Sequence, residues 1–347
     1  MRILALCLVL ACTLSVSVEA TAEPYRAEPV TDDLEHPVAL LPFPGTTDSL
    51  AVVQKEGTVV IVKNGSLTGE ELLDISSIVN RKLLHGLMGL AFHPEFKANG
   101  LFYASFVDVN GDVTVAQFRA DPKHPPDENS LTVTIKIAQS FPNQNGSTIA
   151  FGPDRLLYVS AGNGGSSSAA AEPNNLFGKV LRINPSDGGG YKVPQDNPML
   201  KESGAEQEIW ALGYVSPEGL MFNPSGGELL VLDGRSASGS SVSVARRGAS
   251  PRDPTVYSQA KLESLVSGLV YRGEQHPNLQ GQVILGDNEH EQVFALKPEN
   301  GAWSRENLIS LPRNRISAVG ADAQGRLFVA TEEGALLEII PEASDKK

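Results

Sequence analysis

One unit recurs six times along the chain, and it constrains the fold more than any other feature. It is a short apolar strand, a Pro/Asp/Gly turn, a second apolar strand, another turn and a third strand. The copies are VALLPFPGTTDSLAVVQKEGTVVIVKNG from Val38, MGLAFHPEFKANGLFYASFVDVNGDVTVAQF from Met88, STIAFGPDRLLYVSAGNGG from Ser147, EGLMFNPSGGELLVLDGRSASGSSVSVAR from Glu218, SGLVYRGEQHPNLQGQVILGDNEHEQVFALKP from Ser267 and SAVGADAQGRLFVATEEGALLEIIP from Ser317. Alternation and β-branched residues predict the strands. Gly-Asp, Asn-Gly and Pro-Asp pairs predict the turns. In the third copy the outer strand is expected to be GKVLRINP, from Gly178.

Units begin roughly every 50 to 70 residues, the spacing of propeller blades or a little longer. A sheet of three or four strands cannot bury both its faces alone, whereas six stacked radially do. The expectation is therefore all-β: a six-bladed β-propeller over residues 28–342, with a polar tail at 343–347. A β-sandwich or two small β domains compete with it, but no Pro/Ser-rich linker divides the chain. Two inserts, 164–177 and 187–206, lack a strand pattern and are expected as loops on one face. Residues 72–84 have a weak helical period.

The first 20 residues read as a secretory signal peptide. Arg2 supplies the positive end, an apolar run follows, and small residues flank Glu19 and Thr21 as cleavage sites. The run is slightly short for a membrane span, and no later segment is apolar enough to be one. Both cysteines, Cys7 and Cys12, lie inside this segment. Val9-Leu10-Ala11-Cys12 loosely matches a lipobox, so the expectation is a secreted or periplasmic protein, with an outer-membrane lipoprotein anchored at Cys12 as the alternative. Cleavage after Ala20 leaves no disulfide, thiol nucleophile or thiolate metal site. The formal net charge of −13 argues against nucleic-acid binding, which needs a basic face.

Residues 141–165, FPNQNGSTIAFGPDRLLYVSAGNGG, hold an amide cluster (Asn143, Gln144, Asn145) before one strand and Asn163 after the next. Such strand-end loops often carry active sites, yet neither loop offers a His, Asp, Glu, Cys or Lys.

Residues 86–106, GLMGLAFHPEFKANGLFYASF, resemble the hallmark of the glucose/sorbosone dehydrogenase family, secreted six-bladed propellers that use pyrroloquinoline quinone (PQQ) and calcium. The likeness continues through NQNGSTIAFGPDRLLYVSAGNGG, NNLFGKVLRINPSDGG, EIWALGYVSPEGLMF and YRGEQHPNLQGQVILGD, in order, over nearly the whole mature chain. The resemblance implies that Gln144 stands where the family has its general base, a His. Asn163 stands where an Asp orients that His. A carboxamide cannot take a proton near neutral pH, and the second-partner logic of a triad is lost with the Asp. At the family's LRNP strand end this chain has Tyr214-Val215-Ser216-Pro217, so Val215 replaces an Arg and Ser216 an Asn. Gly286-Asp287-Asn288-Glu289 falls where a quinone-clamping Lys is expected. Arg315 fits the first of two Arg positions and Ser317 stands at the second, with Arg313 nearby. By position, Asn143, Val215, Ser216 and Arg315 are the cofactor-binding candidates.

PQQ carries three carboxylates, and each buried without a partner costs several kcal/mol. Losing a general base lowers a rate by about 10²- to 10⁴-fold, roughly 3 to 5 kcal/mol of barrier. The sequence therefore reads as a catalytically degenerate member that binds a small polar ligand such as a sugar, or a partner. The alternative is an active PQQ- and calcium-dependent sugar dehydrogenase with a substitute base, His85 or a nearby carboxylate. The plainest reading of Gln144 and Asn163 is that amides serve these turns structurally.

Other constellations are thin. His85 and His93 lack a third metal ligand, and His93 belongs to an exposed turn before Pro94. Asp108-Val109-Asn110-Gly111-Asp112 lacks the Glu of a calcium loop and reads as a hairpin turn. Asp233 and Asp287 each close an apolar strand, lining the channel or a calcium site, or more simply capping backbone N–H groups. No metal-ligand set, nucleophile elbow, P-loop or dinucleotide fingerprint is found.

Overall fold

The computed structural model describes residues 24–342, apart from 83–84, 122, 140–146, 224–226, 237–238, 249–254, 259–263 and 300–301. Its strands form six antiparallel sheets. After an N-terminal strand β1 (Tyr25–Thr31), the first blade is β2 (Pro37–Pro42), β3 (Ser49–Gln54), β4 (Thr58–Lys63) and β5 (Ser66–Asp74). The second is β6 (Leu87–Phe92), β7 (Leu101–Val107), β8 (Val113–Arg119) and β9 (Thr132–Ile137). The third is β10 (Ile149–Phe151), β11 (Leu157–Ala161) and β12 (Lys179–Pro185), with β13 (Tyr191–Lys192) and β14 (Ile209–Leu212) both on β12. The fourth is β15 (Pro217–Phe222), β16 (Leu229–Ser236), β17 (Gly239–Ala245) and β18 (Thr255–Ser258). The fifth is β19 (Leu265–Val270), β20 (Val283–Asp287), β21 (Gln292–Glu299) and β22 (Ala302–Ser310). The sixth, β23 (Ile316–Ala321), β24 (Leu327–Thr331) and β25 (Leu336–Pro341), takes β1 as its fourth strand, with Tyr25 opposite Pro341.

The innermost strands touch in cyclic order, β2–β6–β10–β15–β19–β23 and back to β2, so the sheets close a ring around a channel. Six apolar clusters lie between blades, one at each junction. This explains the unbroken apolar runs of the second strands. In β3, Ala51 and Val53 face the second blade while Leu50 and Val52 face the sixth. Alternation is present, but both faces are cores. β1 and β25 join the two ends of the chain in one sheet, so the ring is held shut by a strand pair of high sequence separation.

Two local expectations differ from the structure. Leu72 and Leu73 end β5, and Val79 bridges Asp108, so no helix forms there among the described residues. Their spacing reflects residues dropped one after another into the core between the first two blades, with Ile75. The strand GKVLRINP is the third of its blade, since β14 lies outside it after the second insert. The inserts are otherwise short on regular structure: a five-residue helix α1 (Ser167–Ala171) in the first, β13 and the 3-10 turn Pro198–Lys201 in the second.

Candidate functional site

All six inner strands begin at one face of the ring, here the upper face, where the second strands end. Five of the six carry a bulge near their start: Val38, Met88, Glu218 and Ser317 at the second residue and Ser267 at the third. A bulge bends a strand and re-aims a side chain. The sequence-derived candidates fall on this face, in the loops before inner strands or after second strands. Asn143 and Gln144 lie outside the described residues.

Asn163, Val215 and Ser216 come together at the junction of the third and fourth blades. Asn163 is buried; its Oδ1 accepts from Gly165 N at 2.9 Å, and its own N–H donates to Val215 O at 2.9 Å. An Asp would make the same turn with a negative charge, whereas Asn makes it with a neutral side chain. Val215 N and Ser216 N in turn donate to the buried Asp233 carboxylate, at 3.0 and 2.6 Å. Burial raises the Asp233 pKa, opposed by these two N–H groups. Ser216 Oγ donates to Glu218 Oε1 at 3.0 Å, so one serine touches two carboxylates.

The insert that follows Asn163 is fixed by Lys179, which is fully buried. Its Nζ donates to the carbonyls of Ala169, Ala170 and Phe177 at 2.9, 3.0 and 2.5 Å. Burial pushes its pKa down to about 8, with Glu172 acting the other way; the three carbonyls also favour the charged form. Lys179 is in phase with Leu181 and Ile183 of β12, which point into a core. A lysine at an inward position was the signal for it in the sequence.

The second corner lies between the fifth and sixth blades. Arg315 donates through Nε and Nη2 to Asn288 Oδ1, at 3.1 and 2.8 Å, and lies 3.6 Å from a Glu332 oxygen. Asn288, itself buried, donates to Ile316 O and Glu332 Oε1. Arg313 has a φ of 70° and gives its backbone N–H to Glu291. Ser317 Oγ is buried with no hydrogen-bond partner among the described residues. Asp287 is fully buried and capped by Glu289 N, His290 N and His290 Nδ1. Sequence reasoning missed Asn288, which comes from the neighbouring blade, and Glu332, which the pairing of Ile316 with Thr331 in the β23–β24 hairpin sets beside Arg315.

The remaining readings resolve as turns. Asp108 accepts from Asn110 N and Asp112 N, and Lys136 bridges Asp108 and Asp112 at 2.6 and 3.1 Å, so the hairpin is closed by an internal cation. His85 is buried on the upper face and His93 is half-buried, accepting at Nδ1 from Glu95 N. No three His, Cys, Asp or Glu side chains stand together as metal ligands among the described residues, and no helix there is long and apolar enough to cross a membrane.

The described channel itself holds a cavity of about 560 Å³ whose wall includes Glu218, the partner of Ser216 at the first upper corner. It runs from the level of Gly89, Thr148 and Glu218 to the lower rim at Phe92, Phe222 and Arg272, so it opens on the opposite face.

Residues 34–250 match the family described as Glucose / Sorbosone dehydrogenase. The aldose sugar dehydrogenase YliI of Escherichia coli is 24% identical, over 94% of this chain and 96% of its own length. The Hedgehog-interacting protein of Homo sapiens is also 24% identical, over 80% of this chain but 45% of its own length. The PQQ-bound form of aldose sugar dehydrogenase from Streptomyces coelicolor superposes with a TM-score of 0.75 at 21% identity, covering 92% of this chain and 100% of that one.

Proposed function

The chain belongs to the glucose/sorbosone dehydrogenase family, and from that premise we propose that its upper mouth binds a small polar ligand such as a sugar, or a partner, without oxidising it. The observation that carries this is the corner at Asn163. The position of the family's orienting acid is a neutral amide spent on its own turn, bonded on its main chain to an aliphatic residue, Val215.

The described residues do not fit PQQ. A tri-anion needs cations, but Arg315 already serves Glu332 and Asn288, while Asp233 and Glu218 add negative charge beside Ser216. Like charges at such range oppose binding. Neutral hydroxyls suit the same groups: carboxylates and amide oxygens accept from them, and backbone N–H groups donate. A relative named for an interaction, the Hedgehog-interacting protein, supports binding as a use of this fold. The N-terminal segment supports action outside the cytoplasm, as a secreted or periplasmic protein or one anchored at Cys12.

The test is a panel of aldoses and lactones, read by thermal shift, beside dye reduction with PQQ and calcium added. Thermal stabilisation by one class without dye reduction is the expected result. Dye reduction that saturates with sugar overturns the proposal and points to a substitute base, of which His85 is the first to replace.

A further inference from the structure

On the lower face, at the junction of the fifth and sixth blades, the connection from β19 to β20 packs against β1 and the turn between β23 and β24. The proposed upper-mouth function does not use this place. At its centre is His276, which is buried. Its ring stands 5.4 Å from that of Tyr25, at 69°, and 5.6 Å from that of Tyr271, at 57°. Its Nδ1 is buried with no hydrogen-bond partner among the described residues. Such a site favours the neutral imidazole, and burial lowers the His276 pKa.

The two tyrosines are held differently. Tyr271 is fully buried; its OH donates to Gly325 O at 2.5 Å and accepts from His276 N at 3.2 Å. Beside it Gly273 and Gly325 are in tight contact, since a Cβ on Gly273 would stand 2.4 Å from Gly325 Cα. That side has no slack. Tyr25 is half-buried on the core between the two blades and is the first residue of β1, which pairs only with β25. The charges around the site act on the tyrosines. Glu306 of β22 bears on Tyr25, and Asp322 on Tyr271, with Asp322 itself paired to Arg326 at 2.7 Å. Arg26, next to Tyr25, pairs with Glu28 at 2.6 Å, and Arg272 and Glu274 of the connection are exposed. For His276 burial is the one cause of the shift.

We infer that His276 is an acid-sensitive latch on ring closure: neutral, it holds Tyr25 and the start of β1 against the fifth blade, and protonated, it releases them. A protonated imidazole carries N–H on both nitrogens, and Nδ1 meets no acceptor here. A buried charged donor without a partner is costly. Solvent reaches it only if a neighbour moves, and Tyr25 yields because Tyr271 is locked. The sign follows from a native pKa below 6.5: the closed form is fully stable above that pH and loses stability as pH falls below it, where the opened form takes up the proton. Histidine is suited to this because its charge changes near neutral pH.

The test is amide exchange of the purified protein between about pH 7.5 and about pH 5, expressed as protection factors so that the intrinsic pH dependence of exchange drops out. Protection over residues 25–31 should fall by up to about ten-fold per pH unit below 6.5, while that of β16 in the fourth blade stays level. In His276→Phe, which keeps an aromatic ring and takes no proton, protection of β1 should not change with pH. His93 is also lowered by burial but lies in the second blade, so exchange local to β1 separates the two where a melting curve would not. Level protection of β1 in the wild-type protein overturns the inference, as does an equal fall in His276→Phe. A proton NMR titration of the His276 ring in the wild-type protein needs no variant. The ring should stay neutral to below about pH 6, and a midpoint at or above 6.5 overturns the inference.

Discussion

The two upper corners have the same pedigree but are held in different ways. At the Asn163 corner, the fixing contacts are buried: a lysine with three carbonyl partners, and a buried aspartate on two backbone N–H groups. At the Arg315 corner, the ion pair is about half exposed on both sides, although Asn288, which Arg315 also bonds, is buried. On the reading proposed above, the first corner keeps its frame and carries a neutral amide at Asn163. The second has kept a cation and neutralised it with an acid of its own. If the proposed reading holds, the two corners differ in how they would have been neutralised, and each leaves a different energetic trace.

The largest expected effect is at Gly178, which carries the frame of the first corner. It has a φ of 65°, and a Cβ would meet Tyr214 O at 2.4 Å and the Ala170 side chain at 2.5 Å. Gly178→Ala should lower stability by roughly 3 kcal/mol or more, combining left-handed strain with overpacking. Chemical denaturation measures it, and a loss under ~1 kcal/mol would mean that the insert is not packed as described. Next is Lys179→Met, which fills the space but leaves three carbonyls without their donor. A loss of about 2–3 kcal/mol is expected, with faster amide exchange in 163–178. Unchanged exchange there would remove Lys179 from the account.

Asp233→Asn is a smaller change. The amide oxygen still accepts from Val215 N and Ser216 N, while a buried charge is removed. Because burial raises the native pKa above 3.8, the folded protein holds the proton over a range where the unfolded chain has lost it. The wild-type carboxyl therefore contributes most below pH 3.8 and loses that contribution as pH rises through its native value. The melting temperature of wild type relative to the variant should fall as pH rises from about 4. A flat difference contradicts the burial assigned to this group. The smallest effect on stability belongs to the second corner. Glu332→Gln should change stability by no more than about 1 kcal/mol, less at high salt, yet it should raise the affinity of the upper mouth for inorganic sulfate by freeing Arg315. No gain would mean Glu332 does not neutralise it.

The blades were legible because each must satisfy the same local rules. Sequence copies begin at Val38, Met88, Glu218, Ser267 and Ser317, within two residues of the observed inner strands, because a two-sided burial pattern and turn pairs bracket every strand. What was not legible is non-local. Pairing of β1 with β25 joins the two ends of the chain and has no nearby signal. The position of β14 depends on how a long insert folds back. At the site, Asp233 was readable as a strand-end cap, and it is one. That Asn163 and Val215 are bonded follows only from the packing of one blade on the next, whereas Glu332 reaches Arg315 across the β23–β24 hairpin.

The central claim is that the upper mouth no longer serves PQQ. Its most direct test is an equilibrium titration of the wild-type protein with PQQ in excess calcium, followed by Trp210 and Trp303 fluorescence, with an aldose and an electron-accepting dye present. The account predicts no saturation up to millimolar PQQ and no dye reduction. Saturable binding with sugar-dependent reduction of the dye would contradict it.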